Sequence, residues 1–340
     1  MTNIYIKSFN RAYYLDRCLQ SIEKYVSGEY KVVVLDDGTP EKYLQKIREK
    51  YPDVEIRVSE QYDYKINSIR ENLTSGKQID GFKIPIPLWK EAVRTGSEYM
   101  IMTEDDVWFT NPVNLDKLSV YMKEFDMVLI KLGWISRRKL KSEFIPLNEE
   151  LTVVEPEIFT APRWFMKDFF FRNKWKVFSL MYKLGLVDNH TKLEYWAMNA
   201  MLMGMFRKDY WLAVWETLDQ RVDEREQLIN ATDWYRKNKR KNLFGKLNFE
   251  MMKTTFISSA TNSYHKYGDE FDVNQFNHIM NEEWYNGNLD AMNNFPKDFS
   301  EQIILSILQE KNLPKSQPQA WKNWAEKFKE QYRNQGVDVD

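Results

Sequence analysis

Glu104, Asp105 and Asp106 place three adjacent carboxylates between an apolar run, Tyr99 to Met102, and the bulky trio Val107, Trp108 and Phe109. A solvated turn tolerates acids but seldom stands between two such hydrophobic segments, so these acids read as the mouth of a binding site. A second pair, Asp36 and Asp37, follows the run "VVVL" in the same way. If both runs are strands of one parallel sheet, their acids converge beyond its carboxyl edge, where ligands of open α/β sheets bind. Crowded carboxylates need a cation. Hard oxygens suit Mg²⁺ or Mn²⁺, and a divalent ion bridging them to a diphosphate would neutralise both.

The elements that must hold these acids are legible around them. From Asn3 to about Leu132, short β-branched runs alternate with amphipathic segments: "IYIK", "AYYLDRCLQSIEKY", "YKVVVLD", "PEKYLQKIREKY", "VEIRVS". That is a βαβ pattern. In the first helical segment Tyr14, Leu15, Cys18, Leu19 and Ile22 share one face of a 3.6-residue period. Thr39 before Pro40 predicts an N-cap for the second helix, with Tyr43, Leu44 and Ile47 facing inward. "YMIMT" and "FDMVLIKL" read as further strands, so the predicted sheet is mostly parallel with helices on both faces. After Gly133 the pattern becomes irregular and then mainly helical, with "EYWAMNAMLMGMF", "TLDQRVDEREQLINATDWYRKN", "DFSEQIILSILQEK" and "PQAWKNWAEKFKEQYR" as its clearest segments.

Composition narrows the classes. A chain of 340 residues, 43% hydrophobic, can bury a large core. With 49 Lys plus Arg against 50 Asp plus Glu, there is no bulk charge to attract nucleic acid. A single cysteine, Cys18, excludes an internal disulfide and a cysteine-rich zinc site, and fits a reducing, cytoplasmic setting. No stretch approaches the roughly 18 apolar residues of a spanning helix, which leaves peripheral contact at the inner face of a membrane as the furthest expectation. "KSFNRAYY" has no glycine fingerprint for a dinucleotide, and "TSGKQ" lacks the flanking residues of a P-loop.

The blocks "IYIKSFNRAYYLDRCLQSI", "VVVLDDGTP" and "GSEYMIMTEDD" resemble the opening of the family 2 glycosyltransferases, whose nucleotide-sugar-binding domain has the GT-A fold. The resemblance covers roughly the first 110 residues. It implies that Ser8, Phe9 and Asn10 hold the base, with Phe9 stacking on uracil, and that Asp36 or Asp37 accepts from the base or ribose. It implies the metal motif at Glu104, Asp105 and Asp106, with Asp106 on Mn²⁺ or Mg²⁺ and Glu104 or Asp105 on the ribose and a metal-bound water. The family's Ala-Arg-Asn helix start is missing, which makes Arg70 and Lys83 the substitute cations near the donor.

The same resemblance divides the chain into a nucleotide-sugar half over 1–132, an acceptor half over 133–270 and a helical extension over 271–340. It implies an inverting transfer with a general base, placed at Glu194 or Asp188 in "VDNHTKLEYW", and a late histidine, His265, near the metal or diphosphate. An acid in the first turn of a helix also has the bland explanation of the helix dipole. "APRWFMKDFFFRNKWKVFSLMYKL" could stack on sugars, touch a lipid-linked acceptor or form an amphipathic core helix. The implied activity is transfer from a UDP-sugar donor to a glycan or glycolipid acceptor in bacterial surface polysaccharide synthesis. The alternatives are a sugar nucleotidyltransferase and a non-catalytic sugar-nucleotide or carbohydrate-binding protein.

Overall fold

The computed structural model describes residues 1–77, 79, 81–133, 141–238, 243–260, 268, 270–334 and 336–339. Its centre is a sheet of nine described strands: β1 (Thr2–Ser8), β2 (Tyr30–Asp36), β3 (Glu55–Val58), β4 (Tyr99–Glu104), β5 (Leu129–Lys131), β6 (Glu143–Pro146), β7 (Leu151–Glu155), β8 (Gly204–Arg207) and β9 (Phe244–Leu247). They lie in the order β3-β2-β1-β4-β8-β5-β9-β7-β6. β3, β2, β1 and β4 are parallel neighbours, β8 runs against β4 and β5, and β7 runs against β9 and β6. The sheet is therefore mixed, with its parallel block at the end that carries the acids.

Period-two alternation explains why helices cover both faces. Ile4, Ile6, Val32, Val34 and Ile101 enter one buried cluster, while Tyr5, Val33, Leu35, Met100 and Met102 enter another. Successive side chains of a strand point to opposite faces, so runs apolar at every position must be buried on both. The first cluster holds α1 (Ala12–Tyr25), with the predicted Tyr14, Leu15, Cys18, Leu19 and Ile22 all buried, and α2 (Glu41–Lys50) through Tyr43 and Ile47. The second holds α4 (Ile86–Thr95) through Ile86, Trp89, Ala92 and Val93. Between α2 and α4 lies α3 (Tyr62–Ser75).

Three local expectations are corrected. Thr39 does not cap α2; its hydroxyl donates to Asp36 at 2.6 Å and accepts from the Asn10 amide at 2.9 Å. "EYWAMNAMLMGMF" is no α-helix but a 3₁₀ segment, Thr191–Met198, running into β8. The long "TLDQ…" helix begins only at Glu224. Strands β6 to β9 also carry the sheet on through the second half of the chain, where the sequence pattern reads as irregular and helical. The helices Val273–Tyr285, Glu301–Lys311 and Pro318–Arg333 form the helical C-terminal part.

Candidate active site

The carboxyl ends of β1, β2 and β4 lie side by side. Ser8 pairs with Asp36, and Lys7 with Glu104, in register. The chain leaving each strand is then tied to its neighbour: the Asp37 amide donates to the Ser8 carbonyl and the Asp105 amide to the Lys7 carbonyl, both at 2.9 Å. A side chain closes the set, because the Phe9 amide donates to Asp105 Oδ2 at 3.0 Å. The three sequence blocks that suggested a site thus form one hydrogen-bonded edge.

The two acidic groups are not equivalent within that edge. Asp36 is fully buried and builds its own turn: Oδ1 accepts from the Gly38 and Thr39 amides at 3.0 and 2.8 Å, and Oδ2 from the Thr39 hydroxyl. Burial pushes its carboxyl up to about 6 against the pull of those donors. This is a turn-forming aspartate with its acceptors used locally. Asp37 differs: Oδ2 takes a bond from the Lys65 ammonium, and Oδ1 is buried with no described partner. Burial pushes Asp37 up and Lys65 down, each against the other's charge. Of the two, Asp37 is the less committed, since besides Lys65 only the Ser59 hydroxyl draws its carboxyl down.

Glu104, Asp105 and Asp106 are met by cations that the sequence reading did not single out. Lys7 Nζ lies 2.6 Å from Glu104 Oε1. The buried Arg11 bridges the other two, Nη2 to Asp105 Oδ1 at 2.6 Å and Nη1 to Asp106 Oδ2 at 2.7 Å. Burial raises both aspartates above the ordinary range and Arg11 pulls them back; in return their charge holds the guanidinium protonated. Asp105 is now fully committed, to Arg11 and to the Phe9 amide. Asp106 retains one buried oxygen, Oδ1, with no hydrogen-bond partner among the described residues. Arg70 instead bonds Asn67 and lines an open cleft of about 850 Å³ with Tyr43, Tyr62 and His278. Lys83 meets this edge through its carbonyl, which accepts from Lys65 at 2.7 Å.

Phe9 is more enclosed than a bare stacking platform. Its ring meets Phe82 edge-on at 5.8 Å, has the Lys65 ammonium 5.9 Å from its centroid, and packs with Ile69 and Ile79. Gly38, at φ 150°, makes room for it, since a Cβ there would stand 2.8 Å from Phe9 Cε2.

The corner that follows is held by the C-terminal part. Asn10 sits at φ 52°, a left-handed conformation that asparagine tolerates better than most residues. Helix Val273–Tyr285 supplies a buried polar stripe to it: Asn274 Oδ1 accepts from the Asn10 amide group at 2.8 Å, and Asn281 Nδ2 donates to the Asn10 carbonyl at 2.9 Å. Asn277 accepts from the Tyr13 hydroxyl at 3.2 Å. The acid turn has its own brace, an antiparallel ladder of Val107–Phe109 with Met252–Thr254, and the Asp106 carbonyl accepts from the Thr254 hydroxyl at 3.1 Å.

The acids proposed for proton transfer are occupied elsewhere. Glu194 is buried, with Oε1 accepting from the Lys141 amide at 2.7 Å and Oε2 from the Ser142 amide and hydroxyl at 3.1 and 3.0 Å. Asp188 bonds Lys141 Nζ at 2.6 Å, Thr191 Oγ1 and the His190 amide, and those donors hold its carboxyl well below the usual range. Such a carboxyl is a weak base. His265 lies outside the described residues. Glu194→Gln turns an amide donor toward at least one of these backbone N–H donors, so we expect a loss of about 1–3 kcal/mol, read as a lowered melting temperature. Unchanged melting would mean that the carboxylate is free for chemistry.

Among the described residues no three His, Cys, Asp or Glu side chains gather as a metal cage. Mg²⁺-type ions at phosphate sites use one or two carboxylates and complete their shell with water and substrate oxygens. The orphaned, buried Oδ1 of Asp106 fits that donor set.

No protein-family model and no curated protein sequence matches this chain. Solved structures with which it aligns include residues 1–349 of S. aureus TarS in complex with UDP-GlcNAc, at 13% identity over 91% of this chain and 71% of that one, with a TM-score of 0.43. The alignment spans 42% of a longer S. aureus TarS chain, with a TM-score of 0.40. Another is the galactosyltransferase LgtC with donor and acceptor sugar analogues, at 12% identity over 68% of this chain and 70% of that one, with a TM-score of 0.34.

Proposed function

We propose that this chain is a glycosyltransferase that takes a sugar from a nucleotide donor, UDP-linked, and passes it to a glycan or glycolipid acceptor by direct, inverting displacement. The observation that carries the reading is the single hydrogen-bonded edge formed by Ser8–Asn10, Asp36–Thr39 and Glu104–Asp106, the blocks on which the family resemblance rests. The setting in bacterial surface polysaccharide synthesis follows from that resemblance.

Each residue at the edge has a distinct part in this reading. Asp37 Oδ1 accepts from the base N3–H, and satisfying a buried orphan acceptor makes that contact selective. Phe9 stacks on the base once Phe82 gives way; Phe82 is carried on the connection between α3 and α4, not on the sheet. Asp106 would hold Mn²⁺ or Mg²⁺, which when bound offsets charge on the departing diphosphate. Lys7 and Arg11 keep the remaining carboxylates from repelling it.

Slow hydrolysis of UDP-hexoses, assayed with Mn²⁺ in the absence of acceptor, tests the reading. Release of UDP from at least one UDP-sugar is expected. Pyrophosphate release from UTP and a sugar 1-phosphate would instead make the chain a nucleotidyltransferase, and saturable UDP-sugar binding without any turnover would make it a binding protein.

A further inference from the structure

Away from the acid edge, residues 159–186 carry a surface that the donor reading does not use. Trp175 is 80% exposed, Trp164 63%, Leu180 56%, Leu184 65% and Leu186 67%. Isolated exposed apolar residues are ordinary, but several within one short segment mark an interaction surface. The rings are continuous: Trp164 meets Phe169 at 5.9 Å and Phe169 meets Trp175 at 5.3 Å.

The backbone holds this display in place. Asn173, Trp175 and Lys176 all lie in the left-handed region, at φ 54°, 54° and 58°. For a tryptophan and a lysine that conformation is strained and needs surrounding support. Asn173 provides it, donating to the Ser179 hydroxyl at 2.9 Å and accepting from the Ser179 amide at 3.1 Å, so the loop is stapled to the helix Val177–Lys183.

Charge identifies the occupant. Between Ala161 and Val187 six Lys and Arg residues face a single acid, Asp168, in a chain whose overall net charge is −1. Arg163 and Lys167 are spent on Glu226, and Arg172 lies 3.9 Å from Asp168. Lys174, Lys176 and Lys183 pair with no described carboxylate. A second copy of this chain would set these cations against themselves across a two-fold axis. Nucleic acid would use the tryptophans but offers nothing to Leu180, Leu184 and Leu186. An anionic bilayer surface takes all three classes: aromatic rings at the headgroup level, aliphatic side chains just below it, and lysines on the lipid phosphates. No described helix is long and apolar enough to cross a membrane, so the contact is interfacial.

We propose that residues 159–186 form a docking surface for anionic lipid bilayers, with Trp175 and the neighbouring leucines inserted and Lys174, Lys176 and Lys183 on the headgroups. The proposal stands independently of the donor reading. It is tested by co-sedimentation of the full chain with phosphatidylglycerol or phosphatidylcholine vesicles at low and high salt. Strong binding to phosphatidylglycerol, weakened by salt and largely lost on phosphatidylcholine, is expected. Lys174→Gln and Lys176→Gln should each lower partitioning about 5-fold, and Trp175→Ser should lower it at every salt concentration. If Trp175→Ser fails to fold, the exposed lysine variants carry the test. No binding to phosphatidylglycerol, equal binding by the lysine variants, or lipid-free dimerisation abolished by them would overturn the proposal.

Discussion

Replacing Arg11 by Met should cost the fold about 3–5 kcal/mol, the usual penalty for leaving a buried charge without its partner. Arg11 is the only described cation on Asp105 and Asp106, and both acids are buried with it. The pH dependence has a definite sign. Burial already raises both carboxyls in the folded state, and loss of the guanidinium raises them further. A carboxyl whose folded pKa exceeds its unfolded value of about 4 gives stability that is present at low pH and lost as pH rises toward the folded pKa. The variant's deficit in urea denaturation should therefore be larger at pH 8 than at pH 5. Equal midpoints for variant and parent at both pH values would mean that Arg11 is not the counter-ion.

Asp106→Asn should act on ligand binding and leave the fold nearly intact. Its amide oxygen can still accept from Arg11, so the brace survives, but the negative charge at the orphan Oδ1 position is gone. Even residues that merely support a metal ligand cost about 10- to 100-fold in metal affinity when changed, so a direct ligand should cost at least that in Mn²⁺-dependent UDP affinity. With EDTA present, parent and variant should bind UDP alike. Asp105→Asn is the contrasting control, because its oxygens serve Arg11 and the Phe9 amide; it should lower the melting temperature. UDP and Mn²⁺ binding unchanged in Asp106→Asn would remove Asp106 from the site.

The parallel half of the fold and its acid edge were readable because their signals are local. The runs feeding β1, β2 and β4 are apolar at consecutive positions, and their acids follow at once. Strands β6, β8 and β9 carry no such signal, for an equally physical reason: each is four residues long, and β6 is exposed along its length, so none develops a hydrophobic period. β7 holds a short buried, mainly apolar run, Leu151 to Val154, that has no neighbouring helical pattern to mark it as part of a βαβ unit. The 3₁₀ segment Thr191–Met198 mimics a helix because its buried residues, Glu194, Tyr195, Ala197 and Met198, also recur at three- and four-residue spacings.

What the acids contact was the least legible part. Arg11 and Asp105 lie 94 positions apart, and Lys7 and Glu104 lie 97 apart. A clue was available: Lys7 interrupts an apolar strand and Arg11 follows the Ser-Phe-Asn corner directly, while buried carboxylates require counter-ions. The asparagine stripe of helix Val273–Tyr285 teaches the same lesson in reverse. Asn274, Asn277 and Asn281 would pass for a solvated face, yet all three are fully buried against α1 and Asn10.

The most direct test of the account is calorimetric titration of the intact protein and of Phe9→Ala with UDP in the presence of Mn²⁺. Stacking of a base on an aromatic ring is worth about 1–3 kcal/mol. One saturable UDP site is therefore expected in the parent, and a dissociation constant raised about 5- to 150-fold in the variant, with circular dichroism showing the variant folded. A parent that does not bind UDP, or a folded Phe9→Ala that binds it as tightly as the parent, would contradict a nucleotide site at this sheet edge.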